Sequence, residues 1–208
     1  MAPESLSPRR RTRVLIAFGV GLFGAAAAWI ASHRPGFGVP DFHTWWLAAR
    51  AVIEGENPYL VVPAAIGEEF QFFNPLPAAI LAVPFAVLRP DVALALFSGL
   101  SASVLAYVVT RRSYDPLVMF LSASFAHAAV MGQWSMLLTA ALCAPALSVV
   151  GAAKPNIGIA IVAALASWRA LEAVDGHRSS PRAADADASL QPQVRAAYSR
   201  TVRKQETR

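Results

Sequence analysis

The sequence predicts an all-α, polytopic membrane protein of about six transmembrane helices, with an amphipathic helix lying at the membrane surface in the first outer loop. Three observations predict it. Of 208 residues, 56% are hydrophobic and only 15% charged, and the mean hydropathy of +0.46 lies above that of a soluble domain. The apolar residues are gathered into runs that can be set against a hydrocarbon layer of ~30 Å. The formal charge of +5 sits mostly in the two termini rather than on a folded basic face.

The first run fixes the orientation. Arg9, Arg10, Arg11 and Arg13 stand before an uncharged stretch from Val14 to Ser32, long enough at ~1.5 Å per residue to cross a bilayer. By the positive-inside rule residues 1–13 are cytoplasmic. The run exceeds a signal-peptide h-region and HRPGFG offers no small-residue cleavage site, so it reads as a retained helix. The loop 33–74 is then outside, carrying Asp41, Glu54, Glu56, Glu68 and Glu69 against Arg34 and Arg50. Further apolar runs follow at Pro75 to Leu88, Asp91 to Thr110, Asp115 to Met131, Ser135 to Gly151 and Pro155 to Trp168. Strict alternation of these runs puts Arg111 and Arg112 outside, against the positive-inside bias. The run with Ser122, Ser124 and His127 has the alternative of a broken or re-entrant segment, allowed at membrane depth where protein satisfies its backbone. Residues 14–169 form the membrane region. The tail 170–208, rich in Ala, Ser, Arg and Asp without apolar periodicity, reads as disordered.

Within the outer loop, Phe42, Trp45, Trp46, Ala49, Val52 and Ile53 recur at helical spacing and Gly55 ends the helix. Two Trp on one stripe place that helix flat at the lipid headgroups. Asp41 opens it. As a helix cap it would stabilise by about 1 kcal/mol; as a carboxylate at the aqueous edge of an apolar shelf it suits a general base for a lipid-linked substrate. The two roles are compatible. Lys154 is the one charged residue between Leu117 and Trp168. It either snorkels from a span end or, with Pro155 at the first helical position, opens a helix whose free amides and dipole make an anion site. Counting crossings puts it on the same side as Asp41.

Other chemistry lacks motifs. The lone cysteine, Cys143, lies in an apolar run, so neither a disulfide framework nor a thiolate metal site can be drawn. There is no dinucleotide or P-loop fingerprint, no HExxH and no nucleophile elbow, and basic residues are not interleaved with aromatics as nucleic-acid binding requires. No metal, cofactor or nucleic acid is expected.

The order of an Arg-rich N-terminus, one span, DFHTWWLAARAVIEGENPYL, FQFFNPL, then GQ and later AAKPN resembles the N-terminal half of glycosyltransferase family 87, in the GT-C superfamily of membrane enzymes. The resemblance covers roughly Arg10 to Ala170. It implies an inverting hexosyl- or pentosyltransferase that moves sugar from a polyprenyl-phosphate donor to an envelope lipid or glycan acceptor at the cell membrane. It also implies that Asp41 is the catalytic carboxylate and that Trp45, Trp46 and Tyr59 shape the substrate groove. Asn74, Gln133 and Lys154 are implied as substrate-binding members of the Asn-Pro, GQ and KP signatures. Two departures stand out. Phe73-Asn74-Pro75-Leu76 occupies a step where many relatives carry Tyr and a double Pro, and the resemblance stops near Leu171 although such enzymes are considerably longer. The chain is therefore read as a truncated form. The alternative is a non-catalytic membrane fragment or assembly subunit keeping the first half of the fold. A small transporter fits less well, since no span pairs opposite charges and no inverted repeat is evident.

Overall fold

A computed structural model describes residues 8–178 apart from 69–71 and 73. Every regular element among the described residues is helical: α1 (Pro8–Ser32), α2 (Asp41–Glu54), α3 (Pro58–Ile66), α4 (Leu76–Ala86), α5 (Pro90–Val109), a 3₁₀ segment Asp115–Leu121, α6 (Ala123–Met131), α7 (Ser135–Cys143), a second 3₁₀ segment Pro145–Ala153, and α8 (Pro155–Arg178). The chain divides into two compact units, Met1–Val162 and Ala163–Arg208. All the packing below belongs to the first. In the second, the described residues continue α8, where Ser167 Oγ donates to Ala163 O at 2.9 Å.

Among the described residues, two helices are long and apolar enough to cross a membrane, Arg9–Ser32 of α1 and Pro90–Val109; a third span is added if α6 and α7, bent 117° to each other, count as one. This departs from the six expected, for local reasons. With 11 residues, α4 is about 16 Å long at 1.5 Å per residue, half a bilayer. The run 115–131 breaks at Ser122, which leaves helical geometry (ψ 149°) and caps α6 by accepting from Phe125 N at 3.2 Å. The run 135–151 breaks at Pro145, whose ring removes a donor that α7 would need to continue. At the other end α8 runs on to Arg178, so 170–178 are helical where composition suggested a tail. Residues 1–7, Phe73 and the tail from 179 lie outside the described residues.

The largest helix contact is between α1 and α5, which run antiparallel. Arg13 Nη2 donates to Tyr107 O at 2.6 Å and Arg9 Nη2 to Arg112 O at 3.0 Å, while at the far end His33 Nε2 lies 3.6 Å from Asp91 Oδ2. Small residues let the backbones approach. A Cβ on Gly99 would stand 2.9 Å from Ala25 Cβ and 3.0 Å from Gly21 O, the close packing that glycine permits where van der Waals contact drives association. The antiparallel pairing puts Arg111 and Arg112 at the same end of the pair as Arg9 and Arg13, opposite to their expected placement.

Between these helices and the rest, Ala17, Ala102, Leu105, Phe120, Phe125 and Ala129 form a buried core with Met136 and Ala140 of α7. The outward side of α1 keeps Leu15, Phe18, Leu22 and Phe23 exposed, as a lipid-facing surface would.

Candidate functional site

The site is built where α2 begins and the α6–α7 turn arrives. Pro40, at φ −68° and ψ 150°, precedes the helix, so Asp41 is its first helical residue and its carboxylate makes no capping bond. The capping role expected of it is thus not used. Its carboxylate turns across the molecule instead: Gln133 Nε2 donates to Asp41 Oδ2 at 2.9 Å, joining residues 92 apart in sequence. Both side chains are half-buried. Oδ1 accepts no hydrogen bond among the described residues. A carboxylate held through one oxygen by a neutral amide is oriented and still has a lone pair for an incoming proton.

Gly132 makes the approach possible. α6 ends there with φ 65°, and Gln133 N donates back to Ala128 O at 2.9 Å, the double-bonded C-terminal turn that favours glycine. The site also lacks room for a side chain, since a Cβ would fall 2.7 Å from Phe42 Cβ and 2.6 Å from Leu94 Cδ1. Glycine at this position therefore satisfies the backbone and the contact together, and the next residue is aimed at Asp41. Leu94 lies in the first turns of α5, so the site belongs to the half of the molecule with His33 and Asp91, away from Arg9, Arg13 and Arg112.

A second rung lies beside the first. Trp45, one helical turn after Asp41 on the same face, packs against Trp134 with ring centroids 5.3 Å apart, and both touch Phe97. Each indole is 2% exposed, and neither N–H has an acceptor among the described residues. Leaving a buried donor unpaired costs about 1–3 kcal/mol, so a ligand oxygen that reached either would gain a bond without displacing a protein partner.

These rings correct the expected position of α2. Its stripe is covered by protein: Phe42, Trp45, Trp46 and Ala49 are buried, Phe42 and Trp45 against Phe85, Phe97 and Trp134, and only Ile53 at its far end is exposed. Trp46 is 7% exposed. Its Nε1 donates to Leu88 O at 3.1 Å, the Arg50 guanidinium lies 5.2 Å from its ring, and His43 stacks on it at 5.6 Å. Burial pushes the His43 pKa below the ordinary imidazole value, favouring the neutral ring. With Arg50, Glu54 and Arg89, Trp46 lines a cleft of ≈ 420 Å³.

Of the remaining candidates, Tyr59 and Asn74 meet each other, the Tyr59 hydroxyl donating to Asn74 O at 3.3 Å beside Phe72. Lys154 opens α8 as expected, with Pro155 first and its carbonyl accepting from Ile157 N at 3.0 Å and Gly158 N at 2.8 Å. Its half-buried ammonium makes no ion pair among the described residues. Asp41 and Gln133 are brought together; Tyr59, Asn74 and Lys154 form no hydrogen bond to them. Sequence reasoning missed Trp134, although it directly follows the GQ pair, and missed His43, one turn from Trp46. Among the described residues no three His, Cys, Asp or Glu side chains gather to hold a metal. No protein-family model, curated protein or solved structure matches this chain.

Proposed function

We propose that the chain is a multi-pass cell-membrane protein carrying the catalytic carboxylate of a polyprenyl-phosphate-dependent glycosyltransferase of the family 87 type. The observation that supports this most is the Asp41–Gln133 hydrogen bond, because it unites two of the residues that the resemblance singles out, from distant parts of the sequence. In this reading an acceptor hydroxyl attacks the anomeric carbon of the donor sugar. Asp41 takes the hydroxyl proton on the oxygen that Gln133 leaves free, and the polyprenyl phosphate departs with the electrons of its bond to the sugar. Trp45 and Trp134 keep buried, unpartnered N–H groups, which a substrate oxygen would pair if binding opened a way to them.

In place of six full crossings, the proposed topology is α1 outward, α5 back, and α6–α7 as a hairpin re-entering from the arginine side with its Gln133 turn meeting Asp41. It sets Arg9 to Arg13 and Arg111 to Arg112 on one face of the membrane, in keeping with the positive-inside rule.

Asp41→Asn tests the chemistry while sparing the geometry, since the Asn carbonyl can still accept from Gln133. Membranes containing the chain, supplied with polyprenyl-phosphate sugars and membrane acceptors, should transfer sugar about 10²- to 10⁴-fold more slowly after the substitution, the usual weight of a positioned general base. Equal transfer by both forms, or none by the unsubstituted chain, would refute catalysis and leave a non-catalytic membrane subunit.

A further inference from the structure

The arginine end of the molecule contains a second feature unconnected with Asp41. A cavity of ≈ 460 Å³ opens between α1, α5 and the chain after α7, walled by Val14, Phe18, Val104, Tyr107 and Leu147 among others, and Arg111 is its one charged lining residue. Phe18 at its edge is 61% exposed, so the groove is continuous with the apolar flank of α1. Arg13 reaches the lining residue Tyr107, and Arg9 reaches Arg112, the neighbour of Arg111 in the chain. The ion pairs among the described residues lie elsewhere, at His33–Asp91, Arg50–Glu54 and Arg89–Asp91. The acid nearest in sequence, Asp115, is exposed and bridges to none of these arginines.

Two of the arginines are occupied in holding the end together. Arg13 donates to Tyr107 O and lies 4.3 Å over the Tyr107 ring, and Arg9 donates to Arg112 O. Arg111 makes no such bond among the described residues. An array of like charges around one apolar groove is repulsive by itself, and a ligand with a compact anion on an alkyl chain relieves both conditions at once.

We propose that this end binds an anionic phospholipid, one acyl chain lying in the groove and the phosphate headgroup on Arg111, with Arg112 beside it. The occupant is a lipid rather than a soluble anion because the groove wall is apolar and reaches the exposed flank of α1. It is anionic because the charge at the mouth has one sign, the arrangement that basic pockets between membrane helices use at the cytoplasmic face. The inference rests on the membrane reading above but not on sugar transfer, and recovery of the chain in the membrane fraction is scored separately.

The test is lipid retention. The full chain, purified in detergent, is incubated with equimolar phosphatidylglycerol and phosphatidylcholine of identical acyl chains and separated from free lipid, and the retained species are quantified by mass spectrometry. Phosphatidylglycerol should be retained at least about fivefold over phosphatidylcholine, with about fivefold lost for each arginine removed, the equivalent of about 1 kcal/mol per basic side chain near an anionic surface. The R111Q/R112Q pair should therefore abolish the preference and R111K/R112K should keep most of it. Ala146→Phe, which fills the groove from an exposed lining position without altering charge, should lower retention of both lipids. Monodisperse elution shows that each variant is folded. Equal retention of the two lipids, a preference unchanged in R111Q/R112Q, full retention in A146F, or displacement by inorganic phosphate would each overturn the assignment.

Discussion

At the scale of single residues, the site depends on a glycine. Gly132 and Gly55 both end helices with positive φ, at 65° and 75°, but a Cβ at Gly55 meets nothing within 4 Å whereas one at Gly132 meets Phe42 and Leu94. The pair therefore separates backbone strain from crowding. Gly55→Ala should cost roughly 1–2 kcal/mol, the left-handed penalty alone. Gly132→Ala should cost that plus a further 1–3 kcal/mol or so for overpacking, and should also turn Gln133 away from Asp41. Thermal unfolding of the two variants in the same detergent checks the difference. Equal shifts would mean that the Gly132 contact yields freely. The orientation of Asp41 has a matching origin: with proline before it, the carboxylate sits one position too late to cap the first turn and is free to meet the Gln133 amide.

At the scale of elements, α1 and α5 are held by small residues meeting face to face rather than by large side chains interlocking. Gly21, Gly24 and Ala25 pack on Ser98, Gly99, Ala102 and Ser103, where added bulk meets the backbone oxygens of Gly21, Ser98 and Gly99 as well as the short side chains of Ala25, Ala102 and Ser103. Gly99→Leu should force the helices apart and destabilise the protein by about 3 kcal/mol. Leu100→Ala, one residue on but 56% exposed, should leave the melting temperature within a degree or two. Comparable losses in both would place the contact elsewhere. α2 illustrates a different balance. Its rings bury against Phe85, Phe97 and Trp134, and edge-on aromatic contacts add about 0.5–1.5 kcal/mol per pair to the burial itself.

At the scale of the whole molecule, the decisive feature is that the chain turns back at α5. Six alternating crossings would carry Ser113 to the side opposite the N-terminus; the antiparallel α1–α5 pair brings the end of α5 back to the start of α1, and the proposed topology therefore keeps Ser113 on the side of the N-terminus. In a Cys143→Ala background, a single cysteine at Gly36 should be labelled by an impermeant thiol reagent added from outside. One at Ser113 should be labelled only after the membrane is opened. Labelling of both from outside would restore the alternating topology and rule out the re-entrant hairpin.

The sequence by itself determined what local forces decide. Helical character follows from apolar run and spacing, the stop at Gly55 from the left-handed turn only glycine takes cheaply, and the start at Pro155 from a ring that needs no donor. Asp41 was marked as a candidate by the helix it opens, and Gln133 by the family resemblance alone. Tertiary structure alone decided which apolar phase covers the α2 stripe, since periodicity shows that a face is apolar and not whether lipid or protein meets it. It also decided that apolar runs at 115–131 and 135–151 are broken, because a serine cap and a proline outweigh hydropathy. Only the folded chain could bring Gln133 to Asp41 and Arg112 to Arg9. These are contacts across some ninety to a hundred residues, set by how helices pack and invisible to any reading that proceeds window by window.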